Sequence, residues 1–306
     1  MIAQAQQKRT TAPPAGMHRS WIRIADVSIA LNASCGEDLR LTSELNAFRT
    51  GEAKCDIEIS IAWAERLQRP MANKLFDSGA VWTMYECDQG YIIDFETPVF
   101  GLRPYKRLCV DRSFSEAQLL LSRECLGELD LVHALEYPLD ELLVTNWLAQ
   151  GKGVEVHGCG LVDGPTGGHL FVGHSGAGKS TTARLWELLR GPEILSDDRI
   201  ILRLHDGELW MYGTPWHGEA AFAAPGSAKL DRIHILRHGT QNRFAALPQA
   251  RAVGEIFARS FPPFHSPAGL ERTVEFIKQA LDLVPCYEFE FTPDGSAVAA
   301  VLGFHE

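Results

Sequence analysis

Hydrophobic and polar positions divide this chain into two unlike parts. Over Trp21–Ala33 apolar and polar residues partly alternate and β-branched side chains recur, which predicts a strand. Residues 55–61 alternate more cleanly and predict another. Between them, 37–53 is polar and reads as loop with a short strand, and Gln68–Asp77 reads as a short helix or an exposed connection. Gly79–Cys87 and Gly90–Phe95 form a hairpin pattern around Asp88-Gln89-Gly90, and Lys106–Val110 continues the sheet. Helical spacing begins at Ser115–Leu121, capped by Ser113 or Ser115. It is clearer after Pro138, where acids fill a first helical turn and Gly151 and Gly153 supply the stop. Leu139, Leu142, Leu143, Trp147 and Leu148 make that helix's packing stripe.

Strands and helices then alternate. Val154–Val162 predicts a strand, Asp163–Gly168 a turn, and His169–Val172 a second apolar strand. Lys179–Leu189 predicts a helix ending near Gly191-Pro192, and 193–202 an apolar strand with Asp197 and Asp198 at its middle. Further on come a short strand at Leu209–Tyr212, a loop over 213–219 and a strand at Ile233–Arg237. Helices follow from Pro248 to about Ala258 and over Leu270–Leu283. A closing hairpin is expected from Cys286–Phe291 and Ala297–Leu302 around Pro293-Asp294-Gly295. The class is α/β, with a flexible tail over 1–19, a β-rich accessory region over 20–135, and a catalytic region over 136–306.

Between the second of these strands and its helix lies Gly173-His174-Ser175-Gly176-Ala177-Gly178-Lys179-Ser180, followed by Thr181. This fits G-x-x-x-x-G-K-[ST], the phosphate-binding loop, in the strand–loop–helix context that it requires. Glycines allow φ > 0 and keep side chains away from phosphate, while amides at a helix start hold the anion. Lys179 is expected to reach the β/γ-phosphates and Ser180 to offer its hydroxyl to Mg²⁺. Asp197 and Asp198 follow 17 and 18 residues after Ser180. A phosphate loop needs a carboxylate on a neighbouring strand for the metal, and a kinase also needs a base for the acceptor hydroxyl. Adjacent strand residues face opposite ways, so both acids serve one site only where the strand bends or ends.

His157 stands in the adjoining strand, where a plain core or surface role competes with a functional one. His217 and Glu219, in the 213–219 loop, are candidate ligands; His174 is expected to expose its ring beside the phosphates. Arg243 and Arg259 are scattered cations for which structural roles come first; Arg184, on the helix after the loop, faces nucleotide or solvent, and Lys229, in a loop-like stretch, is a candidate substrate or phosphate contact. His234, His238, His265 and His305 form no metal-ligand spacing.

Charge and composition narrow the partners. A formal net charge of −10 argues against a general nucleic-acid binder. No stretch approaches the roughly 20 apolar residues of a membrane span, and no apolar signal core opens the chain. The seven cysteines, at 35, 55, 87, 109, 125, 159 and 286, contain no C-x-x-C pair. They fit a reducing cytoplasm, each a buried single thiol.

Taken together, His157-Gly158, the run GHLFVGHSGAGKSTTARLWELL and the run LSDDRIIL resemble the catalytic domain of the bacterial HPr serine kinase/phosphorylase family. That family is related in fold to ATP-dependent phosphoenolpyruvate carboxykinase. The strong match covers residues 154–202. It implies an HPr-kinase-like ATP-binding domain over 136–306, a mixed sheet around a phosphate loop. Gly173, Ser175, Gly176, Ala177, Gly178, Lys179, Ser180 and Thr181 would bind nucleotide. Ser180, Asp197 and Glu219 would serve the metal. Asp198 would be the base, with His157 and Lys179 as its catalytic companions. Kinship further implies an assembly of several chains. The family's Leu-Glu-Ile-Arg-Gly-like segment is missing; TPWHGEAAF stands in its region, which directs the substrate away from HPr.

The expected activity is therefore ATP- and Mg²⁺-dependent transfer of a phosphoryl group to a serine-like hydroxyl on a peptide, protein or small molecule. The alternatives are a nucleotide-binding regulatory or scaffold protein with little turnover, and carboxykinase-like transfer to a small acid. No N-K-x-D signature supports a GTPase switch.

Overall fold

Two large β-sheets with few helices make up the computed structural model, which describes residues 16–304 apart from 80 and 102. The chain is a mixed α/β protein. Residues 1–15 of the expected tail, and His305, lie outside the described residues; His18 and Arg19 already belong to the first strand.

The first sheet contains β1 (His18–Ile24), β2 (Val27–Ala33), β3 (Ile57–Ala64), β4 (Asn73–Asp77), β5 (Trp82–Cys87), β6 (Gly90–Glu96), β7 (Pro104–Asp111) and β8 (Glu116–Ser122). Their order is β1-β2-β3-β8-β7-β6-β5-β4. Two differences from the sequence expectation stand out. The single strand expected over Trp21–Ala33 is a hairpin, turning at Ala25 and Asp26 with φ of 51° and 58°. Both central residues are left-handed, as a tight hairpin requires, yet neither is the Gly or Asn that announces one. The helix expected at Ser115–Leu121 is β8, held between β3 in parallel and β7 in antiparallel pairing. Leu119 and Leu121 are fully buried there. Burying one such side chain is worth about 1.5–3 kcal/mol, more than the roughly 1 kcal/mol span of strand propensities.

Two short helices, α1 (Ser43–Asn46) and α2 (Arg123–Leu126), border this sheet, and α3 (Leu139–Leu148) packs on it. The core beneath α3 gathers Leu139, Leu143, Val144 and Trp147 with Ile59, Leu108 and Leu119. Ile201, Tyr212 and Trp216, from the second sheet and its following loop, enter the same core.

The second sheet contains β9 (Val154–Asp163), β10 (Gly167–Val172), β11 (Glu193–Ser196), β12 (Arg199–His205), β13 (Glu208–Tyr212), β14 (Ser227–His238), β15 (Arg243–Ala246) and β16 (Cys286–Phe291). Its main path is β10-β9-β12-β13-β14-β16-β15, with β11 on β9. A further parallel pairing of β10 with β14 closes β9, β12, β13, β14 and β10 into a ring. The helices here are α4 (Lys179–Arg190), α5 (Gln249–Phe257), α6 (Pro267–Leu283) and α7 (Gly295–Leu302). Side chains alternate as a pleated strand demands. Leu170 and Val172 join the core under α5 and α6, whereas Phe171 between them joins Trp186 of α4 and Val298 of α7. The last element corrects the expected closing hairpin. Asp294 caps α7 by accepting from the Ser296 amide at 2.8 Å, so the Asp-Gly pair starts a helix rather than a turn between strands. Among the described residues, no helix is long and apolar enough to cross a membrane.

Candidate functional site

The 173–178 loop runs from the end of β10 into α4, and its glycines answer three separate constraints. Gly178 has φ 101°, and a Cβ there would stand 2.5 Å from the Phe291 ring. Gly176 has φ 78°. Gly173 is buried, and a Cβ on it would come 2.7 Å from Ala177 Cβ. His174, Ser175, Gly176 and Thr181 are exposed, while Ala177 and Ser180 are half-buried. No side chain caps the N-terminus of α4, leaving its first amides available to an anion.

Lys179 is buried and folds back over this loop. Its Nζ donates to the carbonyls of Gly173 and His174, each at 3.1 Å, which leaves one of three donors free. Burial lowers its pKa, and the nearby Asp198 carboxylate opposes that shift.

The paired aspartates lie in the break between β11 and β12, the bend that adjacent acids need in order to serve one place. Asp197 is fully buried. Its carboxylate accepts from the amides of Gly218 at 3.0 Å, Ala220 at 3.0 Å and Phe222 at 3.3 Å, and from the Ser180 hydroxyl at 3.1 Å. Thus the 218–222 loop fixes Asp197, and Asp197 orients Ser180. Asp198 turns toward β9, where its Oδ1 lies 2.7 Å from His157 Nε2. Its other oxygen pairs with Arg199. Burial pushes the Asp198 carboxyl up, but the hydrogen bond from His157 and the charges of Arg199, His157 and Lys179 outweigh it and leave the pKa below the ordinary value.

Arg199 also reaches Glu141 at 3.0 Å and lies 3.2 Å from Glu155, without the alignment of a hydrogen bond to the latter. Burial raises the Glu155 carboxyl well above its usual range. The guanidinium covers the Phe261 ring at 4.1 Å, and that ring meets His157 edge-on at 6.2 Å. Neither Arg199 nor Glu155 is among the candidates read from the sequence. The signal was present: Glu155 and His157 are two apart on one strand and so share its face.

Other candidates separate. Glu219 is exposed, and its carboxylate makes no hydrogen bond or ion pair among the described residues, although Gly218 and Ala220 on either side donate to Asp197. His217 is exposed, with Nδ1 2.9 Å from the Gly218 carbonyl oxygen. Lys229 pairs with Glu208 and Arg243 with Glu290 on the surface, and Arg184 is exposed. Arg259 is different. Its side chain is buried, it pairs with Glu255, and its carbonyl accepts from the His157 amide at 2.7 Å. With Arg237 and Arg251 it lines a cavity of about 500 Å³ beside His174. Partial burial, then the charges of Arg259 and Arg237, lower the His174 pKa. His234 is buried among aromatic rings with no hydrogen-bond partner on either nitrogen among the described residues, and burial pushes its pKa down to about 3. All seven cysteines are free; Cys159 and Cys286 are buried, whereas Cys35 and Cys55 are exposed, unlike the expectation for each.

Among the described residues, no group of three or more His, Cys, Asp or Glu side chains is gathered to hold a metal. Mg²⁺ commonly keeps several waters and takes one or two protein ligands beside phosphate, so a small donor set suits it. The Ser180 oxygen, its proton directed to Asp197, retains lone pairs for such an ion. Crowding at Gly173 and Gly178 and the uncapped α4 start form the cradle for an anion. The residues present therefore fit a magnesium-bound polyphosphate. Comparison with protein-family models and with curated proteins returns no match for this chain.

Proposed function

We propose that the protein is an ATP- and Mg²⁺-dependent phosphotransferase with an alcohol acceptor. The observation that carries this reading is the meeting of two acids with one loop: Ser180 donates to Asp197 at 3.1 Å, while Asp198 stands with His157 at 2.7 Å and near the Lys179 charge. An anion cradle alone would fit any nucleotide binder. A second carboxylate, held ionised beside it, supplies what transfer to a hydroxyl needs.

In this mechanism the loop amides and Lys179 hold the β- and γ-phosphate oxygens, Lys179 exchanging its loop carbonyls for phosphate. Mg²⁺, held by Ser180 and by Asp197 through Ser180 and water, would neutralise charge on those phosphates. The acceptor oxygen bonds to the γ-phosphorus as the bond to the β–γ bridging oxygen breaks, and ADP leaves. The acceptor proton passes to Asp198, which His157 and Arg199 keep oriented. Lys179 offsets charge on the transferring group.

Calorimetry with ATP, with and without Mg²⁺, followed by incubation of labelled ATP with a cell extract, tests the reading. D198N is expected to bind nucleotide yet transfer no label. Full turnover by D198N removes Asp198 from its role, and absence of nucleotide uptake with Mg²⁺ ends the proposal. Uptake by the wild type with no labelled product would favour the scaffold alternative.

A further inference from the structure

One cavity adjoins Asp198 along the seam between the sheets, and a second adjoins Phe261. The nearer one, of about 500 Å³, is walled by Asp198, Arg199, Trp216 and Glu44. The further one, of about 280 Å³, is apolar and aromatic, with Trp82, Phe261 and Phe264 in its walls. Tyr137 lines both. Phe261 connects them to the chemistry, since its ring contacts Arg199 on one side and His157 on another. The phosphate loop contributes to neither cavity. This is space for something other than the nucleotide, in continuity with the candidate base.

The occupant is constrained by three features. An aromatic chamber wants a large apolar group, and Phe264 stands 65% exposed at its edge. Glu44, Glu136 and Asp198 line the nearer cavity together with Arg199 and His217, while burial holds the Asp140 carboxyl in its wall toward the neutral form. Glu136 and Asp198 have cationic partners, whereas the half-buried Glu44 carboxylate bonds to Ser43 and Thr42 and has only the His217 ring near it as a basic group among the described residues. Finally, Phe76 in the aromatic wall belongs to β4, the terminal strand of the first sheet, which pairs only with β5 among the described residues. A free strand edge beside side-chain pockets is a mode of binding extended chain.

Resting on the phosphotransfer reading above, we infer that the aromatic cavity is a specificity subsite built by the first sheet: the acceptor is an extended polypeptide segment whose serine meets Asp198, whose large apolar residue fills the Trp82–Phe264 chamber, and whose basic residue faces Glu44. At an extended rise near 3.3 Å per residue, ring-sized separations put the apolar residue about two to four positions from the serine.

The test uses the full chain with Mg²⁺ and labelled ATP on a library of 12-residue peptides with a fixed central serine and randomised flanks. Labelled peptides are expected to be enriched in Phe, Trp, Leu or Met at those positions and in Lys or Arg toward one end. F264A, at an exposed position, should erase the apolar enrichment and lower kcat/KM for the best peptide by about tenfold or more. E44Q should erase only the basic preference. Labelling without positional preference, or a preference unchanged in F264A, overturns the subsite. So does D198N-sensitive transfer confined to small polyols or folded proteins, which would leave the phosphotransfer reading standing. Failure to bind nucleotide would bring down both.

Discussion

Asp197 offers the sharpest test of the geometry, because its four donors are fixed and few. In Asp197→Asn one oxygen becomes an amino group. If the remaining oxygen takes the Oδ1 position it keeps the Gly218 and Phe222 amides, and the amino group then faces the Ala220 amide and the Ser180 hydroxyl. The hydroxyl can rotate to accept; the Ala220 amide cannot. The opposite flip strands two amides. A buried amide left without a partner costs about 1–3 kcal/mol, and bonds to a charged acceptor are worth about 1.5–3 kcal/mol against about 1 for neutral ones. The sum for the better flip is a loss of about 3–5 kcal/mol. Urea denaturation followed by circular dichroism at neutral pH reads this directly, and amide exchange at Gly218, Ala220 and Phe222 localises it. Ser180→Ala should cost less, about 1.5–3 kcal/mol, since it removes one donor to the carboxylate and strands no amide. Both substitutions should weaken Mg²⁺-dependent nucleotide binding, because the Ser180 oxygen is then either unaimed or missing. An Asp197→Asn protein within about 1 kcal/mol of the parent, with those amides still protected, would refute the arrangement.

Three further outcomes follow from the same geometry. Gly178→Ala places a Cβ 2.5 Å from Phe291 at φ 101°, so it should destabilise the protein by about 2–4 kcal/mol in thermal or urea melts and lose nucleotide binding; a neutral effect would mean the α4 start is not packed this tightly. Asp140 is buried, bonded to Trp216 Nε1 at 3.0 Å, and its pKa is pushed by burial up to about 7. The native state therefore holds that proton longer than the unfolded chain, and stability should fall as pH rises from about 4 to about 7, by at most about 4 kcal/mol. D140N keeps the acceptor for Trp216 and should flatten that slope when unfolding free energies are compared at pH 5 and pH 8; equal slopes would refute it. His157→Asn removes a hydrogen bond and a charge that lower the Asp198 pKa, so the acid limb of kcat/KM should move to higher pH, and an unmoved limb would sever that link.

The loop was legible because its constraints are local. Three glycines, a lysine and a serine at fixed offsets need no distant residue to be recognised. The acids were legible as candidates, but not their division of labour, which depends on the β11–β12 break and on the 218–222 loop. β8 read as helix because Glu116, Ala117, Gln118 and three leucines favour one; only its neighbours β3 and β7 make the strand pay. The β1–β2 hairpin hid because alternation continues through a turn with no Gly or Asn. α7 could have been found from Asp294 as a cap and the small residues after it. Phe261 and Arg259 had no local signal at all, being brought to His157 by the return of the chain after α5.

Closure of the second sheet explains why the loop and acids converge. β10 bonds to β9 on one side and to β14 on the other, so the loop leaves the ring from a strand with no free edge over that stretch. β9 in turn pairs with β10 over 158–163 and accepts β11 and β12 on its other side, with His157 opposite Arg199 of β12. The Gly158 amide donates to the Asp198 carbonyl and the Gly173 amide to the His157 carbonyl, so the backbone of β9 directly links the acid pair to the first residue of the loop. A shift of one residue in the β9–β12 register would turn every side chain of β12 to the opposite face. Ile200 and Ile201 would then exchange cores, and Arg199 would leave both Glu155 and Phe261. The apolar burial that forbids that slip therefore also holds Asp198 within reach of His157.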